Sequence, residues 1–307
     1  MKLRSVLFTV AFAIILTPGN ELQAQNFYGG LSVGYGMRMG GNDLETESYN
    51  SSSGTDFTGQ FFSNSSSTTD RVKLSLGKGT QAGLMLGYMM NPNLGLELGL
   101  SYLRGGKTEF TSESSSSERD EFFNNFSRLT VAEESTTYSS NMFRVIPTVV
   151  LSAGGQKLSP YAKIGFIMGF GKIIQDESYS YSLTSTNFSE NYSTDEDVSI
   201  EYSSGIAAGM TGVFGLKSTS ANGISFFGEL FMEYVNYAPK NGEVVVYKEG
   251  GVNLLPLLTD SETEFEFVDS ISENSSAPAN ESQPTEFLKE SWSFSNIGIR
   301  CGIIKNF

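Results

Sequence analysis

The chain has 307 residues, of which 39% are apolar, and its formal net charge at pH 7 is −14. It contains one cysteine, Cys301, and no histidine. The single cysteine excludes an internal disulfide framework, and the missing histidine removes the side chain best suited to proton transfer near neutral pH. Of the 34 acidic residues, 30 fall in four stretches, 43–70, 109–134, 176–201 and 243–290. We do not expect nucleic acid as a partner, because binding phosphate requires the opposite charge.

The N-terminus predicts a secretory signal peptide over residues 1–24. Lys2 and Arg4 give a basic start, an apolar run follows at 6–16, and Ala24 is a small residue near the expected cleavage point. The apolar run is too short to cross a bilayer as a helix. A buried N-terminal helix is the alternative interpretation. After cleavage, residues 25–307 would form one domain.

The first half of the mature chain contains four stretches in which apolar and small or polar residues alternate, and each predicts a β-strand. The first stretch covers 27–38, the second ends at Met90, the third covers 94–102 and the fourth covers 143–151. A short turn at 91–93 joins the second stretch to the third. Long polar connectors at 39–70 and 105–137 separate the other neighbours.

The second half repeats this organisation with four more alternating stretches. They lie at 161–170, 201–216, 224–234 and 296–307. Short turns at 154–157 and 217–223 alternate with long connectors at 175–200 and 238–290, and the last of these is strongly acidic.

An even number of alternating strands, joined by alternately short and long connectors, is typical of a closed transmembrane barrel. We therefore predict an all-β fold: an eight-stranded antiparallel transmembrane β-barrel with short periplasmic turns and four long extracellular loops. The stretches supply about the 9–11 residues that a tilted membrane strand needs. The pattern does not fix the strand ends, and strands could continue well above the membrane. A soluble secreted β-sandwich is the alternative.

Tyrosines near the strand ends predict an aromatic girdle at the membrane surfaces, where Tyr is enriched. They are Tyr35, Tyr88, Tyr102, Tyr161 and Tyr234. Ordinary enrichment of Tyr in strands is the alternative explanation.

The glycine-rich first strand, Asn26-Phe27-Tyr28-Gly29-Gly30-Leu31, and the terminal strand ending in Phe307 carry a family resemblance. Together with the signal peptide, they resemble the small outer-membrane β-barrel proteins of Gram-negative bacteria, the OmpA transmembrane domain, OmpX and OmpW group. The resemblance covers the mature chain as a pattern, although the loops are far longer than in the smallest members. It implies a bacterial outer-membrane location and a role for Phe307 in the insertion signal read by the barrel-assembly machinery.

Charged residues on the face opposite the apolar one would point into the barrel lumen. They are Glu97, Arg144, Lys163, Glu229, Glu233 and Arg300, and Arg38 lies near the outer rim. Three acids and three bases predict an ion-pair network, because charges removed from water need partners. The network would be either a structural plug or a gate whose pairs switch and pass ions.

Other polar features carry weaker predictions. The acidic runs at 195–197 and 260–266 offer oxygen ligands for divalent cations, but they fit no calcium loop and a solvated charge run is the simpler interpretation. We expect no metal, no cofactor and no catalytic residues. Four basic residues near the ends of the long connectors would meet lipid phosphates or anchor the barrel at the interface: Lys78, Arg104, Lys107 and Lys172.

The leading functional expectation is a non-enzymatic, monomeric outer-membrane protein whose long acidic loops have a surface-exposed interaction or structural role. A narrow porin-like channel for ions or small solutes is the alternative, and an outer-membrane enzyme is the least favoured class. The expected partners are outer-membrane lipid and lipopolysaccharide, the barrel-assembly machinery, and an extracellular ligand or host surface.

Overall fold

The computed structural model of the protein describes residues 27–55, 58, 60–120, 126–155, 157–185, 191–219, 223–271 and 281–307. These residues form a single sheet of 17 strands. The predicted all-β class is therefore confirmed, whereas the expected count of eight strands is wrong for the sheet as a whole. The predicted signal peptide, 1–24, lies outside the described residues.

The strands are numbered in chain order. They are β1 (Phe27–Arg38), β2 (Asn42–Thr55), β3 (Phe61–Leu74), β4 (Gly79–Asn91), β5 (Leu94–Gly105), β6 (Thr108–Asp120), β7 (Phe126–Ser152), β8 (Leu158–Ser185), β9 (Tyr192–Ser203), β10 (Ile206–Thr219), β11 (Ile224–Ala238), β12 (Asn241–Glu249), β13 (Val252–Asn253), β14 (Glu264–Val268), β15 (Thr285–Leu288), β16 (Trp292–Ser293) and β17 (Asn296–Asn306). A 3-10 turn, Leu255–Leu257, and one short helix, α1 (Asp260–Thr263), lie between β13 and β14.

The strand pairings close part of this sheet into a ring. Its order is β1–β4–β5–β7–β8–β10–β11–β17, and β17 pairs back to β1 along its whole length. All of these pairings are antiparallel, and each of these strands has a partner on both sides. The ring thus passes through eight of the 17 strands and exposes no lateral edge, which satisfies the backbone without water.

Residues in the ring alternate between an inner and an outer face. In β11, buried Phe227, Glu229 and Phe231 alternate with exposed Phe226 and Leu230. The predicted apolar face is therefore the outer one. Exposed apolar side chains encircle the ring, and we call them the apolar belt: Phe27, Val33, Tyr35, Met37, Leu86, Tyr88, Met90, Leu96, Leu98, Tyr102, Phe143, Val149, Leu151, Leu158, Ile164, Phe166, Met168, Phe170, Ile206, Met210, Phe214, Leu216, Ile224, Phe226, Leu230, Met232, Tyr234, Ile297, Ile299, Ile303 and Phe307.

Glycines make room for aromatic rings inside the ring of strands. Tyr28 lies opposite Gly87 in the register, and a Cβ added at Gly87 would lie 2.0 Å from Cζ of Tyr28. Tyr161 lies opposite Gly215 in the same way, with a separation of 2.4 Å. A narrow barrel is filled by pairing large with small residues, so these glycines are required by packing.

The predicted long loops are largely strands, which corrects the loop assignment. We call them the extension: β2, β3, β6, β9, β12 to β16, and the parts of β7 and β8 that pair with β6 and β9. The pairing of β7 with β8 begins at Arg128↔Ser185, far from the short turn that joins them. Water covers both faces of much of the extension, so its strands need no apolar alternation. The Ser- and Thr-rich sequence therefore lacked the period-two signal on which strand prediction rests.

Two apolar layers fill the interior at different heights. The lower layer, near the short turns, contains Tyr28, Met85, Val150, Tyr161, Phe227 and Ile304. The upper layer, toward the extension, contains Leu74, Leu76, Leu103, Phe110, Tyr138, Met142, Ile146, Ile167, Ile173, Ala207, Val235, Tyr237, Trp292 and Phe294.

Candidate functional site

All six predicted lumen charges point inward, and Arg144 stands on β7 between Met142 and Ile146 of the upper layer. Along β11, Glu229 and Glu233 stand between Phe227 of the lower layer and Val235 of the upper layer. All but Arg300 are buried, and Arg300 is partly buried. We call this set of side chains the charged layer: Glu97, Arg144, Lys163, Glu229, Glu233 and Arg300.

The first group in the charged layer is a chain of four alternating charges. Lys163 Nζ lies 2.7 Å from Glu97 Oε1 and 2.9 Å from Glu229 Oε1. Arg300 Nε lies 2.6 Å from Glu229 Oε2. Glu229 therefore bridges two cations, and charge alternates along the chain from Glu97 to Arg300.

Two tyrosines complete the hydrogen bonding of these carboxylates from below. The Tyr28 hydroxyl donates to Glu97 Oε2 at 2.8 Å, and the Tyr161 hydroxyl donates to Glu229 Oε1 at 2.8 Å. A buried carboxylate needs several donors. Two tyrosines of the lower apolar layer thus donate hydrogen bonds to the carboxylates of the charged layer.

The second group is built around Glu233. Arg144 Nη1 lies 2.6 Å from Glu233 Oε2, and Arg144 Nε donates to Ser101 Oγ at 3.0 Å. Asn296 Nδ2 donates to the same carboxylate oxygen at 3.0 Å, and Gln81 Nε2 approaches it at 3.5 Å. Three donors converge on one oxygen, which fixes the Arg144 side chain across the lumen.

Some buried polar atoms in or beside the charged layer have no hydrogen-bond partner among the described residues: Arg144 Nη2, Glu233 Oε1 and Thr211 Oγ1. A cavity of about 30 Å³ lined by Thr211 and Glu233 lies beside them. A second cavity of about 30 Å³ lies lower, beside Tyr161 and Lys217. Each has room for about one water molecule, so neither of these two cavities admits a hydrated ion.

The upper end of the lumen is covered by aromatic side chains that we call the aromatic cap: Tyr138, Tyr202, Phe267 and Trp292. The ring centroids of Tyr138 and Trp292 are 5.3 Å apart, and those of Tyr202 and Trp292 are 5.7 Å apart. Tyr202 also meets Phe267 at 6.0 Å. Burial, together with neighbouring glutamates, raises the pKa of Tyr138 to about 12, so its hydroxyl stays neutral over the physiological range.

Three further predicted residues are placed as follows. Arg38 is exposed at the rim, and its Nη1 lies 3.4 Å from the carbonyl oxygen of Lys73. The amide of Phe307 donates to the carbonyl of Phe27 at 3.0 Å, which ties the end of the chain to the start of β1. Its role in insertion stays a prediction. Cys301 is exposed on the outer wall.

One residue of the predicted aromatic girdle is misplaced. Tyr35, Tyr88, Tyr102 and Tyr234 are exposed on the outer wall, but Tyr161 is buried and faces the lumen. Its position in the period-two pattern, on the same face as Lys163, was the signal that should have excluded it from the girdle.

Sequence reasoning also missed the neutral side chains that form hydrogen bonds beside the charged layer. Gln81, Asn296 and Ser101 all lie on inward positions of ring strands and bind the charged groups. The inward parity could have pointed to them. Which charge each would meet depends on the register across non-adjacent strands, and the sequence does not contain that information.

The two acidic runs, 195–197 and 260–266, lie in or beside strands of the extension. Asp195 to Asp197 lie in β9, and Glu262 caps α1 by accepting hydrogen bonds from the amide and the hydroxyl of Thr259, both at 2.8 Å. These bonds lower the pKa of the Glu262 carboxyl. Among the described residues, no three histidine, cysteine or acidic side chains lie close enough to hold a metal ion.

Comparisons with known proteins identify no family. Neither a protein-family model nor a curated protein matches this sequence. In the part of the chain that the structure describes, no helix is both long and apolar enough to cross a membrane. Function must therefore be argued from the geometry of the charged layer, the apolar belt and the extension.

Proposed function

We propose that this chain is a non-enzymatic outer-membrane protein in which the closed ring is the transmembrane anchor and the extension is an interaction surface. The observation that carries the proposal is the filled lumen. Charged and apolar side chains fill the interior together, and the two cavities described beside the charged layer measure about 30 Å³ each. A ring with this interior suits a scaffold better than a pore.

The apolar belt supports membrane insertion of the ring. More than half of each of Val33, Phe226, Leu230 and Ile299 is exposed. Leaving one such side chain in water forgoes about 1.5–3 kcal/mol of burial free energy, and the belt contains many of them. A hydrocarbon environment removes this cost, and the eight ring strands leave no unpaired lateral edge inside it.

The connections suggest an orientation. The short turns, the start of β1 and the end of β17 lie at one end of the ring, and the extension lies at the other. Short turns on the periplasmic side and long connections outside are typical of outer-membrane barrels. In this orientation, the extension faces the exterior, Phe307 lies on the side met by the barrel-assembly machinery, and lipopolysaccharide surrounds the outer rim.

Apolar side chains exposed on the polar extension support an interaction role. Phe61 is 70% exposed beside the β2–β3 turn, and Leu257 is 77% exposed between β13 and α1. Tyr192, beside the β8–β9 connection, is 56% exposed. Exposed aromatic and aliphatic residues within an acidic surface suit an extracellular protein ligand or host surface.

Conductance of the refolded protein in a planar bilayer tests the anchor proposal. We expect a silent membrane, with folding checked in the same preparation by heat-modifiable migration. Surface labelling of intact cells should reach residues of the extension. Steady, ion-selective current steps from folded protein would contradict the anchor and favour a channel.

A narrow gated channel is the second candidate, and the position of Glu229 favours it specifically. Glu229 contacts both Lys163 and Arg300, so a shift of Lys163 entirely to Glu97 would be a discrete rearrangement. Opening would also require displacement of the apolar layers above and below, and for that reason we place it second.

A further inference from the structure

A basic pocket lies at the outer end of the ring. Arg38, Lys78 and Lys107 line a volume of about 360 Å³, and Met37 of the apolar belt forms one of its walls. Lys78 and Lys107 form no ion pair with any described residue. Among the described residues that line the pocket, Glu109 is the one carboxylate, and it accepts a hydrogen bond from Ser135 at 3.2 Å. The pocket therefore has a net positive charge in a chain whose formal charge is −14.

The backbone that carries Lys78 is held tightly. A Cβ added at Gly79 would lie 2.1 Å from the Arg104 carbonyl oxygen, and one added at Gly77 would lie 2.0 Å from that of Phe294. The Gly106 amide donates to the Lys78 carbonyl at 2.7 Å. The backbone of Lys78 is thus fixed at the rim, beside the basic pocket.

An apolar groove of about 650 Å³ lies on the outer wall of the ring. It is centred on Gly228 and Cys301, two small residues within the apolar belt. Its walls are formed by Val33, Tyr35, Phe214, Leu216, Leu230 and Ile299. A Cβ added at Gly228 would meet no atom within 4 Å, so the groove is open to its surroundings at this point.

Strand β1 connects the groove to the basic pocket. Val33 and Tyr35 line the groove, and Met37 and Arg38 line the pocket. The five residue steps from Val33 to Arg38 span about 16 Å at a rise of about 3.3 Å per residue. One leaflet contributes about half of a hydrocarbon core that is about 30 Å thick. A headgroup in the pocket would therefore place its acyl chain at the depth of the groove.

We propose that this face of the ring binds a phosphorylated lipid, with the phosphate in the basic pocket and an acyl chain in the apolar groove. The inference rests on the proposed function, because it requires the outer wall to lie in a membrane. Lysine and arginine bind phosphate through charge-assisted hydrogen bonds, and the groove suits an acyl chain because its walls are apolar. The basic pocket alone would suit any phosphate, and the apolar groove alone would suit any apolar molecule. Because β1 connects the two, the face suits a molecule that has both a phosphate and an acyl chain.

The test uses the full chain in detergent and native mass spectrometry of the bound lipid. The probes are a diphosphoryl lipid A, the same lipid without phosphate, and inorganic phosphate. One variant combines Lys78→Gln with Lys107→Gln, and another is Gly228→Leu. The matched controls are Lys157→Gln, an exposed lysine in the short turn at the opposite end, and Gly212→Leu, an outward-facing glycine outside the groove that also has no atom within 4 Å of an added Cβ.

We expect the lysine variant to bind the diphosphoryl lipid at least about tenfold more weakly, because two charge-assisted contacts are lost. The Gly228 variant should also bind more weakly, since leucine would occupy the groove, whereas both controls should bind like the wild type. The proposal is overturned if the dephosphorylated lipid binds as tightly, if inorganic phosphate competes as well as the lipid, or if neither variant changes binding.

Failure of this site and failure of the membrane anchor would look different. A folded protein that needs detergent but retains no lipid would overturn the lipid site alone. A chain that is folded and monodisperse without detergent would overturn the membrane placement, and the lipid site with it.

Discussion

Removing the carboxylate of Glu229 should be one of the most destabilising single changes in the ring. This side chain contacts Lys163 Nζ at 2.9 Å, Arg300 Nε at 2.6 Å and the Tyr161 hydroxyl at 2.8 Å. Breaking a buried ion pair from one side costs about 3–5 kcal/mol, and leaving a buried hydroxyl without its acceptor costs about 1–3 kcal/mol. Because these losses overlap, we expect Glu229→Ala to lower the free energy of unfolding by about 4–6 kcal/mol.

The loss should come mainly from Arg300. Lys163 keeps its contact with Glu97 when Glu229 is removed, whereas the ion pair of Arg300 within the described structure is the one with Glu229. Replacing both partners together should therefore recover at least half of the lost stability, because no unpaired charge remains buried. The appropriate double variant combines Glu229→Ala with Arg300→Ala.

Urea unfolding in lipid vesicles, followed by heat-modifiable migration, measures these differences. Glu286→Ala, in an exposed part of β15, is the matched control and should change the midpoint little. Glu229→Ala should also remain silent in planar bilayers, because both apolar layers still close the lumen. A Glu229→Ala variant that unfolds within about 1 kcal/mol of the wild type, or a double variant no more stable than the single one, would contradict this role of Glu229.

Three further predictions test the packing of the interior and the cap. Gly87→Ala should destabilise the ring by about 1–3 kcal/mol by overpacking, because the new Cβ would lie 2.0 Å from Cζ of Tyr28. The control is Gly228→Ala, whose new Cβ would meet nothing within 4 Å and should change stability in urea little. Equal effects of the two substitutions would contradict the packing argument. Trp292 is the one tryptophan of the chain and is buried in the aromatic cap, so its fluorescence should be blue-shifted in the folded state and move to longer wavelength on unfolding; emission typical of water in the folded protein would be inconsistent with the cap. Burial raises the pKa of Tyr138 to about 12. The contribution of neutral Tyr138 to the stability of the fold is therefore complete below the unfolded tyrosine pKa of about 10 and is lost as the pH rises through about 12. A difference titration of phenolate absorbance against Tyr138→Phe should show this late transition, and ionisation near pH 10 would count against the burial.

The ring could be predicted from the sequence because its environment imposes a simple rule on each residue. In β11, the alternation of Phe226, Leu230 and Met232 with Glu229 and Glu233 is a local property, since each side chain faces either outward or into the lumen. The same alternation in β5 and β17 defined the inner and outer faces before any contact was known. The six lumen charges followed from parity alone.

The extension could not be predicted in this way. Strands β2, β3 and β6 have water on both faces over much of their length, and their Ser-rich sequences satisfy the backbone by pairing with each other, including the parallel pairing of β2 with β6. Such pairing leaves no periodic mark on the sequence, and these stretches were consequently expected to be loops.

The sequence by itself determined the all-β class, the two faces of each ring strand and the set of charges that must share the lumen, because these depend only on side-chain alternation and solvation. Only the tertiary structure decided that Glu229 joins Lys163 to Arg300 and that Glu233 is paired with Arg144, because the stagger between strands sets those distances. The same holds for the basic pocket and the apolar groove. Residues far apart in sequence, such as Val33, Gly228 and Cys301, become neighbours only when the ring closes.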